Sequence, residues 1–158
     1  MANTLYDFGR ELFLSGSLSW ATAPIVMSFA CNTSNSGQIT ASTAGTAYKA
    51  NAATWGLGAA TGSNQLGSAS SVLTGMLWGS GNAGANDQTI YSVTAGGATA
   101  TVNVIVLWGS GTYGGIVNPL VAYIDTAASG LPITPNGGNI TVSWSRSGPG
   151  GIAQIFKL

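Results

Sequence analysis

Thr101-Val102-Asn103-Val104-Ile105-Val106-Leu107-Trp108, followed by Gly109-Ser110-Gly111, decides the fold class. Its first half alternates polar and apolar residues, the period of two expected of a strand with one buried face. From Val104 to Trp108 the run is continuously apolar, which predicts a strand covered on both faces at that end. The Gly-Ser-Gly that follows supplies a turn. Ile140-Thr141-Val142-Ser143-Trp144-Ser145 shows the clearest alternation, with Ile140, Val142 and Trp144 on one face. Strand patterns also cover residues 71–78, 89–94, 99–108, 116–125, 139–145 and 153–158. The apolar run Ile25-Val26-Met27-Ser28-Phe29, after Pro24, suits a buried strand. Turns are marked by Gly96-Gly97, Gly114-Gly115, Pro135-Asn136-Gly137-Gly138 and Gly148-Pro149-Gly150-Gly151. This spacing predicts a mainly β protein, an antiparallel β-sandwich or barrel.

The N-terminus departs from that pattern. Leu5, Phe8 and Leu12 recur at helical spacing and predict one short helix over residues 4–15. Thr4 and Asp7 resemble a capping box, and Gly16 is placed for a left-handed stop. Residues 32–71 are rich in Gly, Ala, Ser and Thr and poor in large side chains, Tyr48, Trp55, Leu57 and Leu66 excepted. They read as a long loop region. The whole of 1–158 fits a single β-rich domain, with the main antiparallel strands over 71–158.

Composition narrows the chemistry. The chain holds four Lys or Arg, four Asp or Glu, and no His, so charged residues are 5% against roughly 25% in ordinary domains. Without histidine the commonest general base and metal ligand is missing. The single cysteine, Cys31, allows neither an internal disulfide nor a thiolate metal cage, and reads as a small buried residue. Net charge is zero, which offers nothing to a phosphate backbone and argues against nucleic acid as a partner. No run approaches the ~18 apolar residues of a membrane span, and Asp7, Arg10 and Glu11 stand where a secretory leader would be apolar. We therefore expect no membrane association and no export signal. The carboxylates Asp7, Glu11, Asp87 and Asp125 show no pairing suited to acid–base work. Gly109-Ser110-Gly111-Thr112-Tyr113-Gly114 lacks the Gly-Lys-Ser/Thr ending of a phosphate loop. The expectation is a non-enzyme with no cofactor and no metal.

One pentapeptide occurs twice. Leu77-Trp78-Gly79-Ser80-Gly81 returns as Leu107-Trp108-Gly109-Ser110-Gly111. Two strands that end alike, each with an aromatic residue closing the core before a turn, account for it. The five tryptophans, Trp20, Trp55, Trp78, Trp108 and Trp144, are expected to fill the core, since large side chains are scarce. The competing use is a sugar-stacking platform, and exposure of Trp78 and Trp108 separates the two.

Two stretches resemble a known family. The start, Leu5-Tyr6-Asp7-Phe8-Gly9-Arg10-Glu11-Leu12-Phe13-Leu14-Ser15-Gly16 with Ser19-Trp20, is similar to the opening of small virion proteins of tailed bacteriophages. The end is closer: Leu120-Val121-Ala122-Tyr123-Ile124-Asp125-Thr126, Gly130-Leu131-Pro132-Ile133-Thr134-Pro135-Asn136-Gly137-Gly138-Asn139-Ile140-Thr141-Val142 and Ile155-Phe156-Lys157-Leu158. The resemblance covers about a third of the chain and leaves its middle unassigned. Charges common in that family after the first strand and before the Ala-Tyr-Ile-Asp strand are replaced here by Ala21-Thr22-Ala23-Pro24 and Trp108-Gly109-Ser110-Gly111.

The resemblance implies a structural virion protein, a capsid cement or decoration protein binding the major capsid protein lattice on the capsid exterior, after synthesis in the host bacterial cytoplasm. A tail, neck or baseplate component is the alternative within the particle, and a receptor- or carbohydrate-binding module using exposed aromatics the alternative from another class. We expect self-association as a dimer or trimer. Leu5, Tyr6, Phe8, Leu12 and Phe13 are the candidate interface. The same stripe is equally suited to packing the helix on the chain's own core.

Overall fold

A computed structural model describes residues 4–30, 51–53, 57, 65–66, 71–94, 101–126, 129–145 and 154–157. Cys31, Tyr48, Trp55, most of the 32–71 loop region and the turns at 96–97 and 148–151 lie outside the described residues. Among the described residues the chain is mainly β and antiparallel, with one short helix, as its alternation and its N-terminal apolar stripe predict.

The organising unit is a four-stranded sheet in the order β1 (Thr4–Leu5), β9 (Leu120–Ile124), β6 (Val104–Gly109), β2 (Ile25–Ala30). Strands β2, β6 and β9 are buried along their whole length. Alternation therefore sorts apolar residues into two cores and not into core and solvent. Ile25, Met27, Phe29, Ile105, Leu107, Val121 and Ile124 face the larger core, which α1 (Asp7–Leu14) helps to form. Val26, Ala30, Val104, Val106, Trp108, Leu120 and Tyr123 face a second core with Tyr6, Ala52 and Leu57. The continuous apolar run of β6 is explained by this double cover.

Three smaller antiparallel sheets hold the other described strands. β3 (Leu77–Gly79) and β4 (Asn82–Gly84) form a hairpin, to which β11 (Phe156–Lys157) adds in the order β11-β4-β3. β5 (Gln88–Ile90) pairs with β10 (Ile140–Val142), and β7 (Thr112–Tyr113) with β8 (Ile116–Val117). Both tight hairpins turn on two residues with positive φ, Ser80 and Gly81 in one, Gly114 and Gly115 in the other. That geometry matches the right-handed twist of the flanking strands.

Several predicted elements are shorter than expected, each for a visible reason. The 71–78 pattern is broken by Gly75 at φ +59°, so only Leu77 and Trp78 enter a strand, while Val72 bridges to Val26. The 116–125 pattern divides at Asn118, whose φ is +50°, into β8 and β9. Ser92, also at +50°, ends the 89–94 segment after β5.

At the N-terminus the expected helix over 4–15 starts later. Thr4 and Leu5 pair with Tyr123 and Ala122 as a strand, and the helix N-cap is Tyr6, which makes no side-chain capping bond. The capping box is thus corrected: sheet pairing satisfies this backbone, with the Tyr6 N–H donating to Val121 O at 3.0 Å. Gly16 does take the left-handed conformation, φ +70°, just after the Ser15 C-cap.

Candidate functional site

The two copies of Leu-Trp-Gly-Ser-Gly have opposite fates. In β6, Trp108 is 6% exposed and its indole Nε1 donates to Ser28 Oγ at 3.0 Å. Ser28 Oγ donates in turn to Gln65 Oε1 at 3.2 Å, so this buried polar row is satisfied. In β3, Trp78 is 64% exposed and Leu77 53%. The expectation that both tryptophans close the core holds for Trp108 and fails for Trp78. The reason is position: β6 is central in a sheet buried on both faces, whereas β3 is the end strand of its sheet among the described residues.

Trp78 stands beside an apolar groove of about 450 Å³ between the segment after α1 and the hairpin of β3 and β4. The register sets Trp78, Ala83 and Phe156 abreast across three strands, on one face of that sheet. Phe156 is fixed at the base by Phe13, with ring centroids 5.8 Å apart, and by the edge-on indole of Trp20 at 5.0 Å. Trp20 is oriented by its Nε1 donating to Gly84 O at 3.0 Å. The walls are completed by Leu18, Ser19, Ser80 and Asn82. No lining residue titrates near neutral pH, so the groove has shape, apolar area and hydroxyls to offer but no acid, base or metal ligand.

The predicted interface residues fall elsewhere, and that expectation is corrected. Leu5, Phe8 and Leu12 are buried in the larger core, and Tyr6 in the second. Helical spacing brought them to one face, but that face lies on the chain's own sheet. Only Phe13, partly buried, reaches the groove. Trp20 and Phe156 belong to the groove but carry no sequence signal beyond being large and aromatic. That β3 ends its sheet among the described residues carries no local sequence signal.

Comparison with protein-family models, with curated proteins and with solved structures found no match.

Three of the four carboxylates have structural employment. Asp7 pairs with Arg10 at 3.0 Å, both side chains exposed. Asp87 accepts from Ser143 Oγ at 3.0 Å and from the Trp144 N–H at 3.4 Å, tying β5 to the strand end beyond β10. Asp125 accepts from Thr126 Oγ1 at 3.0 Å. Among the described residues no three of His, Cys, Asp or Glu gather as a metal-holding group. Nor is any helix among them long and apolar enough to cross a membrane. Burial, and then the neighbouring Tyr123, pushes the Tyr6 phenol well above its ordinary range.

Proposed function

We propose that the chain is a structural, non-catalytic protein of a tailed-bacteriophage particle, a capsid cement or decoration protein that binds the major capsid protein lattice from outside. The observation that carries this reading is the exposed, uncharged edge formed by Leu77 and Trp78 beside the aromatic groove. Such a surface suits apolar and main-chain contact with another protein, and large exposed apolar side chains mark interaction sites. The resemblance of the N- and C-terminal segments to small virion proteins of tailed bacteriophages supports a place in such a particle. Cement action is mass-action linkage, since a protein that binds the assembled shell better than its parts stabilises assembly.

Co-sedimentation of the purified chain with capsids lacking it tests the reading. The expected result is saturable binding over the shell and a raised temperature of shell disruption. Binding at a single ring on the particle supports a tail or neck component and overturns the cement reading.

Exposure of Trp78 also favours one reading of another class, a glycan-binding module, because an exposed indole beside the exposed Ser80 is a stacking platform with a polar neighbour. A change in tryptophan emission on adding host-surface glycans, abolished by Trp78→Ala, supports it.

A further inference from the structure

We propose that β3 pairs antiparallel with β3 of a second copy of this chain, about a two-fold axis at Trp78, joining two three-stranded sheets into one. This goes beyond the structural reading above by assigning one part of that exposed surface, the β3 edge, to a second copy of the chain.

Ser80-Gly81 is a two-residue turn, so Gly79 and Asn82 form the hydrogen-bonded closing pair of the hairpin. In an antiparallel ladder such pairs alternate with non-bonded ones, and Trp78 opposite Ala83 is the next, non-bonded pair. Ala83 directs its carbonyl to the other side, where it accepts from the Ile155 N–H at 2.8 Å. By the same alternation the N–H and C=O of Trp78 point away from β4, and no described residue bonds to them. These groups specify an extended backbone as the occupant.

The chain treats the β2 edge of its main sheet differently. On β2, Leu73 N–H donates to Ile25 O at 2.8 Å and Leu66 N–H to Phe29 O at 3.0 Å, so other segments of the chain cover that edge. Proteins also block open edges with charges or proline. Residues 71–86 contain no Lys, Arg, Asp, Glu or Pro. The edge is apolar on both faces as well, Leu77 on one and Trp78 on the other.

A second copy meets every one of these demands. With Trp78 opposite itself, each copy donates its Trp78 N–H to the other's Trp78 carbonyl, the reciprocal bonds of a hydrogen-bonded pair. The row Phe156, Ala83, Trp78 then continues into the same row reversed, covering both indoles. Two identical edges without charge bring no like-charge repulsion.

The test is light scattering of the purified chain across a dilution series, without capsids. The wild-type chain is expected to reach twice the monomer mass. Trp78→Pro removes the outward N–H and costs no bond within the chain; Trp78→Lys places like charges face to face. Both are expected to halve the mass while keeping the wild-type circular dichroism. Hydrogen exchange on the wild-type chain makes the test independent of any variant: the Trp78 amide is expected to be protected when concentrated and to lose that protection on dilution. A wild-type monomer at all concentrations, a dimer that persists in both variants, or an unchanged Trp78 exchange rate overturns the pairing. Because capsids are absent, loss of the dimer leaves capsid binding standing, and failure to bind capsids leaves the dimer standing.

Discussion

Gly9 on α1 and Val121 in β9 meet backbone to backbone: a Cβ on Gly9 would lie 2.7 Å from the Val121 carbonyl oxygen. That oxygen already accepts the Tyr6 N–H, and Val121 sits where the register of β6 and β9 shifts. Helix and sheet touch here because neither has a side chain in the way. Gly9→Ala is expected to destabilise the fold by about 2 kcal/mol through overpacking against rigid backbone. Gly16→Ala, where a Cβ meets nothing within 4 Å but φ is +70°, is expected to cost about 1 kcal/mol. Urea unfolding of both variants gives the comparison, and equal losses would contradict the close approach.

The paired tryptophans allow a second comparison. Trp108→Phe removes the indole donor to Ser28 and leaves a void in the second core, with an expected loss of about 2–3 kcal/mol. Trp78→Phe, in the same pentapeptide, is expected to shift the stability of the isolated monomer by no more than ~0.5 kcal/mol. Dilute-solution urea midpoints distinguish them. A large loss at Trp78 would mean that its exposure is wrong.

Alkaline pH should find one weak point. The Tyr6 hydroxyl is buried with no hydrogen-bond partner among the described residues, and burial raises its pKa. Below pH ~10 both folded and unfolded chains keep this proton, so the group contributes no pH dependence. Above that, the unfolded chain releases it and the folded chain does not, so stability falls by up to about 1.4 kcal/mol per pH unit from this residue. Tyr6→Phe is expected to preserve neutral-pH stability and to flatten the alkaline decline. Unfolding free energies at several pH values check both.

Ion pairing should matter little. Arg10 and Asp7 are about half exposed, so Arg10→Ala is expected to change stability by less than ~0.5 kcal/mol. Thermal melts of wild type and variant at low and high salt are expected to coincide.

What the sequence made legible follows from where periodicity survives. In β6 the change from alternation to a continuous apolar run announced burial on both faces, because β6 is flanked by β9 and β2 and covered by two cores. Ile140, Thr141 and Val142 alternate and form β10. Turn chemistry was readable where glycine carries positive φ, as at Gly16, Gly114 and Gly115. It was not readable at Ser92 or Asn118, which take the same conformation without a glycine to mark it. The groove was hidden for a different reason. It depends on which strand ends a sheet, a non-local property, and an identical pentapeptide was buried at Trp108 and exposed at Trp78. The helix misled because an amphipathic stripe states that a face is covered and not by whom.

Ala30 and Val104 stand opposite each other in the register of β2 and β6, and the Asn103 N–H returns to Ala30 O at 3.1 Å. The chain therefore leaves the main sheet and re-enters it at the same point, so residues 31–103 form one excursion with joined ends. Six rungs of the β2–β6 ladder lock the mouth of this excursion, and the strands it carries, β3, β4 and β5, hang as a branch from a ladder that they never interrupt.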